Sequence, residues 1–344
     1  MYTPEFEKEA ANVAANIPNL DKLYNSTILI TGGTGMICSA VADIIFYLNK
    51  AQSANIKIIF ASRKEESLVN RFGKDTNWEF LAFDATKGLE QAVTADYIIY
   101  GASNADPASV GKYPVETILM NTNGLDSVVK NTTFKRGLYI SSSEVYGNDS
   151  KAPYKEDAYG YVDILNPRAC YPVSKRLAET LCASYAAEYD KDLVTVRPGH
   201  IYGPTISPRD SRASAEFSRL ASDGQDIVMK SSGEQLRSYC YVYDCASAIL
   251  AILINGQKAN AYNISNPNSI VTIKEMAEAF AKHGRVNVIQ TEASAAEKAS
   301  YNLMTNSSLD STKLENLGWS AAYSLDEGAK RTIEIMQQLK EDHE

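Results

Sequence analysis

Histidine is nearly absent from this 344-residue chain: His200, His283 and His343 are the only three, and none lies near another in sequence. The five cysteines, Cys38, Cys170, Cys182, Cys240 and Cys245, contain no Cys-x-x-Cys pair. Together these absences argue against a dedicated zinc or iron centre. An odd cysteine count without regular spacing gives no disulfide framework, so free thiols in a reducing cytosol are expected. Long apolar runs are missing too; Ile44–Leu48 is far too short to cross a bilayer. The stretch Met1–Glu5 lacks the apolar core of a signal peptide. There is no internal repeat, no low-complexity segment and no linker rich in Pro, Gly or Ser. Cations are outnumbered, 34 Lys+Arg against 42 Asp+Glu, for a net charge of −8. A surface of that sign is unsuited to neutralising a nucleic-acid backbone. Neither nucleic acid nor membrane is therefore an expected partner, and a cytoplasmic location is expected.

What is present is globular: 44% hydrophobic and 22% charged residues. Short apolar, β-branched runs alternate with helical stretches through the first 200 residues or so. Strands are predicted at Thr27–Thr31, Ile56–Ala61, Phe80–Asp84, Tyr97–Gly101, Leu138–Ser142 and Val194–Arg197. Helices are predicted at 5–16, Met36–Asn49, 64–72, 114–131 and 172–189. Continuous apolar strands alternating with helices predict an α/β fold, a doubly wound parallel sheet with ligands outside the carboxyl ends of its strands. After Gly203-Pro204 the rhythm changes. Helices near 213–222, 243–254 and 273–283 with a strand near 261–265 predict a smaller C-terminal α/β lobe, closed by helices near 308–316 and 325–340. The implied division is a dinucleotide-binding unit over 1–200 and a substrate lobe over 201–344, with some segments returning to the first.

Thr31-Gly32-Gly33-Thr34-Gly35-Met36-Ile37-Cys38 lies between the first strand and its helix. Glycines there allow a sharp turn and close approach of a pyrophosphate to the free N–H groups of the helix start. Asp84 at the end of the third strand is a candidate acceptor for an adenine amine, with Ala85 beside it. Gly101-Ala102-Ser103 ends the fourth strand next to the expected pyrophosphate. The second strand ends in Ala61-Ser62-Arg63, where an acid usually holds the adenosine ribose. Arginine without that acid leaves NADP open beside NAD.

Tyr171-Pro172-Val173-Ser174-Lys175 puts a phenol and an ammonium one helical turn apart, on one face. A free phenol titrates near pH ~10. A neighbouring ammonium, together with a cofactor's cationic ring, favours the phenolate and makes it a usable proton acceptor. The preceding strand ends in Ser141-Ser142-Ser143-Glu144, whose hydroxyls can orient a substrate hydroxyl and the phenol. Asn121, an amide inside a predicted helix, suggests a polar duty there.

In order along the chain, these segments resemble the extended short-chain dehydrogenase/reductase family of nucleotide-sugar epimerases, dehydratases and decarboxylases. The resemblance extends through Arg197-Pro198-Gly199-His200-Ile201-Tyr202-Gly203-Pro204, Gly233–Tyr239 and Asp310–Leu314. Within the family, Asn166-Pro167-Arg168-Ala169-Cys170-Tyr171 and Ser142-Ser143-Glu144 are most similar to UDP-glucuronate decarboxylases. Ser143 stands where 4,6-dehydratases carry an acid. Cys38 replaces the third glycine of the loop, and His200 replaces a usual asparagine.

The resemblance implies NAD, tightly bound and recycled, with a UDP-sugar favoured among nucleotide-diphosphate sugars. Tyr171, Lys175, Ser142, Glu144 and Asn121 are the implied catalytic set. Gly32, Thr34, Gly35, Met36, Ile37, Ser62, Arg63, Asp84, Ala85, Gly101, Ala102, Ser103, Ser141 and Pro198, with Tyr171 and Lys175, are implied at the cofactor. Ser143, Glu144, His200, Arg212 and Arg237 are implied at the substrate, and no metal site is implied. Tyr171 would take a proton from a sugar hydroxyl while hydride passes to the nicotinamide, with Lys175 lowering the tyrosine pKa. The resulting 4-keto sugar could lose CO₂ or be reduced from its other face. Decarboxylation, 4-epimerisation, 4,6-dehydration, net NADPH-dependent reduction and a non-catalytic dinucleotide sensor stay open. Family members commonly dimerise through helices like 114–131 and 172–189, which implies a homodimer.

Overall fold

The computed structural model describes residues 2–74, 77–148, 151–208, 210–291 and 305–341; His343 lies outside them. Its centre is a seven-stranded sheet, parallel throughout, in the order β12-β8-β7-β5-β1-β2-β3. The strands are β1 (Thr27–Thr31), β2 (Lys57–Ser62), β3 (Trp78–Ala82), β5 (Tyr97–Tyr100), β7 (Arg136–Ile140), β8 (Leu193–Pro198) and β12 (Ala261–Ile264). The two-residue strands β4 (Val93–Thr94) and β6 (Thr132–Thr133) pair beside it.

Side-chain alternation explains why helices cover both faces. Ile28, Ile30, Ile58, Phe60 and Ile99 point into one apolar cluster, while Leu29, Ile98 and Tyr100 point into another. The first cluster is closed by α1 (Pro4–Ala14), α2 (Met36–Gln52) and α9 (Val242–Asn255). The second is closed by α6 (Asn123–Asn131) and α7 (Cys170–Tyr189). Further helices are α3 (Glu65–Phe72), α4 (Pro107–Lys112) and α5 (Pro114–Asn121).

The C-terminal part adds β9 (His200–Tyr202), α8 (Ala213–Ser222), β10 (Ile227–Met229), β11 (Leu236–Tyr241), β13 (Ile270–Thr272), α10 (Ile273–Gly284), β14 (Val288–Gln290) and β15 (Asn306–Ser307). Here β11 is flanked by β13, β15 and β9. The helices α11 (Thr312–Glu315) and α12 (Leu325–Glu341) follow.

Four expectations are corrected. The strand at 261–265 joins the large sheet beside β8, and α9 packs on α2, so neither belongs to the smaller lobe. The helix expected over 114–131 is interrupted for one residue at Thr122, whose φ of −107° and ψ of −75° distort the turn between α5 and α6 without leaving the right-handed region. The helix expected over 308–316 shrinks to Thr312–Glu315, because Asp310 turns the chain by accepting from the Thr312 N–H at 2.9 Å. Asp84 lies past the end of β3, which stops at Ala82.

Candidate functional site

The glycine loop closes on itself through the Gly35 N–H, which donates to the Gly32 carbonyl at 2.9 Å. Gly32 sits at φ +71°, and a Cβ there would stand 2.9 Å from the Gly101 carbonyl oxygen. A Cβ on Gly33 would stand 2.3 Å from the Phe60 ring. Gly35 is the N-cap of α2 and offers no side-chain cap, so the first N–H groups of that helix face outward. Thr34 and Gly35 are exposed and Met36 and Ile37 half-buried along that rim. The Thr31 hydroxyl accepts from the N–H groups of Gly101 and Ala102 at 3.0 and 3.1 Å, fixing β1 to the loop that continues through Ser103. This backbone cradle, open to a helix N-terminus, fits a dinucleotide pyrophosphate.

Cys38 does not spoil the cradle, because the space for its side chain comes from across the loop. A Cβ on Gly101 would stand 2.4 Å from the Cys38 Sγ. Gly101→Ala is therefore expected to lower stability by on the order of 2 kcal/mol. Cys38→Ala in the same chain restores most of it, as thermal unfolding of the single and double variants would show.

At the cradle's edge, Asp84 accepts from the Thr86 N–H and hydroxyl at 3.0 and 2.8 Å, and these bonds hold its carboxyl below the usual range. Ala85 is buried below it, and Arg63, exposed after Ser62 of β2, adds a smaller stabilising charge. The buried Ser141 is held by its own N–H, which donates to Val196 at 2.8 Å; its hydroxyl has no partner. Pro198, also buried, ends β8.

Helix α7 begins at Cys170, so Tyr171 occupies its first turn. Tyr171, Lys175 and Glu179 follow at successive turns on one face. Lys175 is 3% exposed. Its Nζ donates to the Ile140 carbonyl at 2.8 Å and lies 4.9 Å from the Tyr139 ring centre and 5.7 Å from that of Tyr171. Burial pushes its pKa down to about 7, against the pull of Glu179.

The Tyr171 phenol is buried. Burial, then the Glu144 charge, push it up to about 12, opposed by a hydrogen bond with Ser142 and by Arg212 and Arg168. Burial is the first cause at both groups, lowering Lys175 and raising Tyr171.

Ser142 is extended at φ −159° and its hydroxyl also accepts from the Glu144 N–H at 3.2 Å, starting the short turn over Ser143–Tyr146. Glu144 is exposed and paired with Arg168, Nη2 to Oε1 at 2.9 Å. Asn121 is fully buried at the end of α5, not within a continuous helix. Its amide donates to Thr117 O and Ser174 Oγ and its carbonyl accepts from the Tyr139 hydroxyl, tying α5 to α7 and β7. It meets no atom of Tyr171 directly in these bonds.

Facing this set is a basic cluster. His200 on β9 lies opposite Tyr239 on β11, their ring centres 5.6 Å apart. Burial, then the charges of Arg237 and Arg212, push its pKa down to about 3, so the imidazole is neutral at pH 7. Its Nδ1 is buried without a partner. Arg212 is clamped to Asp210 by three bonds of 2.5 to 3.0 Å. Arg237 is 5% exposed and donates to the Leu236 carbonyl at 2.8 Å.

Three participants had no role in the sequence reading: Arg168, Glu179 and Arg197. Arg197 grips Glu179 with bonds of 2.6 to 3.2 Å and donates to the Tyr146 hydroxyl at 3.0 Å. Glu179 was legible in principle, two turns after Tyr171. Arg168 and Arg197 lay within recognised segments, but only folding brings them to their carboxylates. Among the described residues no cluster of three His, Cys, Asp or Glu could hold a metal ion, and no helix is long and apolar enough to cross a membrane.

The chain is 29% identical over 310 residues to UDP-glucuronic acid decarboxylase 1 of Xenopus tropicalis, covering 89% of this chain and 71% of that protein. It is 30% identical over 256 residues to UDP-glucuronic acid decarboxylase 6 of Arabidopsis thaliana, covering 74% and 73%. The fold superposes on UDP-glucose 4-epimerase of Thermotoga maritima, solved with UDP-glucose, at a TM-score of 0.74 and 21% identity, covering 91% of this chain and 99% of that one. The model of the NAD dependent epimerase/dehydratase family matches residues 28–265, and the chain belongs to that family of enzymes.

Proposed function

We propose that this enzyme remodels a nucleoside-diphosphate sugar through a transient 4-keto intermediate, and that its reaction is decarboxylation of UDP-glucuronate. The carrying observation is the position of the Tyr171 phenol. It hydrogen-bonds Ser142, feels the charge of Arg212 and has Lys175 one turn away, and Lys175 in turn feels Cys38, which stands against Gly101 of the glycine-built cradle. Homology to decarboxylases supports the choice of substrate.

Gly32, Gly35 and the start of α2 would hold the pyrophosphate of NAD, with Asp84 at its adenine and Lys175 at its nicotinamide ribose. When bound, NAD supplies a hydride acceptor, later a hydride donor, and a cationic ring beside the phenol. Tyr171 takes the proton of the C4 hydroxyl, which Ser142 orients. A carboxylate on C5 is then β to the new ketone. The C5–carboxyl bond breaks, its electron pair enters the enolate and CO₂ leaves. Glu144 serves the return of a proton to C5, and Tyr171 returns its proton to the C4 oxygen. Arg237 receives the diphosphate, where charge-assisted bonds are strong, with the neutral His200 beside it and Arg212 adding its charge while Asp210 holds its fork.

The test is incubation with UDP-, dTDP-, GDP- and CDP-sugars, followed by mass spectrometry of products and of any cofactor released on denaturation. Loss of CO₂ from UDP-glucuronate without net NADH is the expected result. An isomer, loss of water, or stoichiometric NADPH consumption would each replace this reading. Because Arg63 is exposed, Arg63→Ala is expected to leave NAD affinity within about twofold in titration.

We place the enzyme in the cytoplasm as a homodimer. Val115 and Ile118 on α5 and Leu177 and Tyr189 on α7 are exposed apolar side chains on two packed helices. Light scattering on the purified chain checks the dimer.

A further inference from the structure

The ion pairs near the phenol differ in how easily they can exchange. Arg197–Glu179 has side chains 5% and 14% exposed and bidentate geometry. Arg212–Asp210 is held by three bonds, with the Asp210 side chain 7% exposed. Arg168–Glu144 is joined by one contact of 2.9 Å, with side chains 43% and 44% exposed. A wet, single-bond pair contributes little, so another carboxylate can take the place of Glu144 at little cost.

Its position makes that exchange consequential. The Arg168 guanidinium carbon lies 6.0 Å from the Tyr171 ring centre. The Arg168 backbone is fixed by its N–H, which donates to the Asn166 side chain at 2.9 Å in the short turn leading into α7. Glu144 is fixed from the other side, by its N–H on Ser142. The guanidinium and the carboxylate thus sit beside the phenol on separate rigid supports, joined only at their tips. An anionic sugar arriving at Tyr171 meets a cation whose present partner is loosely held.

We propose that Arg168 is the receptor for the carboxylate of the sugar, which displaces Glu144 from it, and that this exchange selects uronate over neutral sugars. It rests on the reaction proposed above and names the group that recognises its substrate. One guanidinium then serves two carboxylates in turn. Glu144 resists entry of the substrate, and once displaced its oxygens are free beside the phenol. Arg212 is not the receptor, since Asp210 already fills its fork.

The test is calorimetric binding of UDP-glucuronate and UDP-glucose to the NAD-loaded Tyr171→Phe protein, which binds without turning over, and to the same protein carrying either of two further substitutions. Arg168→Ala is expected to weaken UDP-glucuronate roughly tenfold and leave UDP-glucose unchanged. Glu144→Gln is expected to tighten UDP-glucuronate severalfold and leave UDP-glucose unchanged. That gain has a sign that misfolding cannot mimic. Equal weakening of both sugars by Arg168→Ala, or weaker UDP-glucuronate binding in Glu144→Gln, overturns the exchange. If the wild type binds both sugars but releases no CO₂, the reaction proposed above fails, while the two variants still decide whether Arg168 recognises the carboxylate.

Discussion

Tyr171→Phe is expected to reduce turnover by roughly 10²–10⁴-fold while cofactor and sugar affinities stay within about threefold. The change removes one hydroxyl and keeps the ring, which is 7% exposed and packs with Cys170 and Val110. Shape is conserved, so the fold has little reason to respond. What disappears is the one proton acceptor bonded to Ser142.

The pH dependence adds a second readout. With the phenol pushed up to about 12 by burial and Glu144, its reactive form is scarce at neutral pH and grows as pH rises. Lys175 acts in the opposite sense, losing charge as pH passes about 7. The wild-type kcat/KM is therefore expected to climb from acid pH and bend over near neutrality. The residual rate of the Phe variant should lack the climb. Full activity in that variant would remove the phenol from the mechanism.

Much of this was legible in the sequence because the relevant signals are local. The apolar runs around Leu29, Ile59 and Ile98 required a sheet buried on both faces, and they pair in register. The loop from Gly32 to Gly35 needed only its place between strand and helix. The Tyr171–Lys175 face needed only helical spacing. The misses are non-local. Ala261–Ile264 is short and contains Asn263, and nothing in it says which sheet it joins. Asn263 is satisfied only in the fold, by donating to Tyr154 and Asp310 and accepting from Tyr146. Spacing predicted that Lys175 would lower the Tyr171 pKa, but it could not show how deeply both groups are buried. Once both are desolvated, the ammonium loses strength and the phenol rises.

Lys175→Met is expected to reduce turnover at least roughly 100-fold and yet to stabilise the fold near neutral pH by on the order of 1 kcal/mol. The ammonium is fully desolvated, and a fall from 10.5 to about 7 means that the folded state disfavours its charge by several kcal/mol. Methionine fills similar space without that charge. Against the gain stand the lost bond to the Ile140 carbonyl and the lost contacts with the Tyr139 and Tyr171 rings.

The sign is set by linkage. Between about pH 7 and 10.5 the unfolded chain holds the lysine proton and the folded one does not, so stability rises with pH. The wild-type penalty is therefore complete below about pH 7 and fades towards pH 10.5. Melting temperatures should separate most below pH 7, with the variant higher, and converge in alkali. A variant that melts lower than wild type at pH 6 would show that the Ile140 bond and the two ring contacts outweigh the buried charge. The ammonium proposed to serve the nicotinamide ribose is held at a cost to the fold, because burial strips its water and the Ile140 carbonyl it donates to carries no full charge.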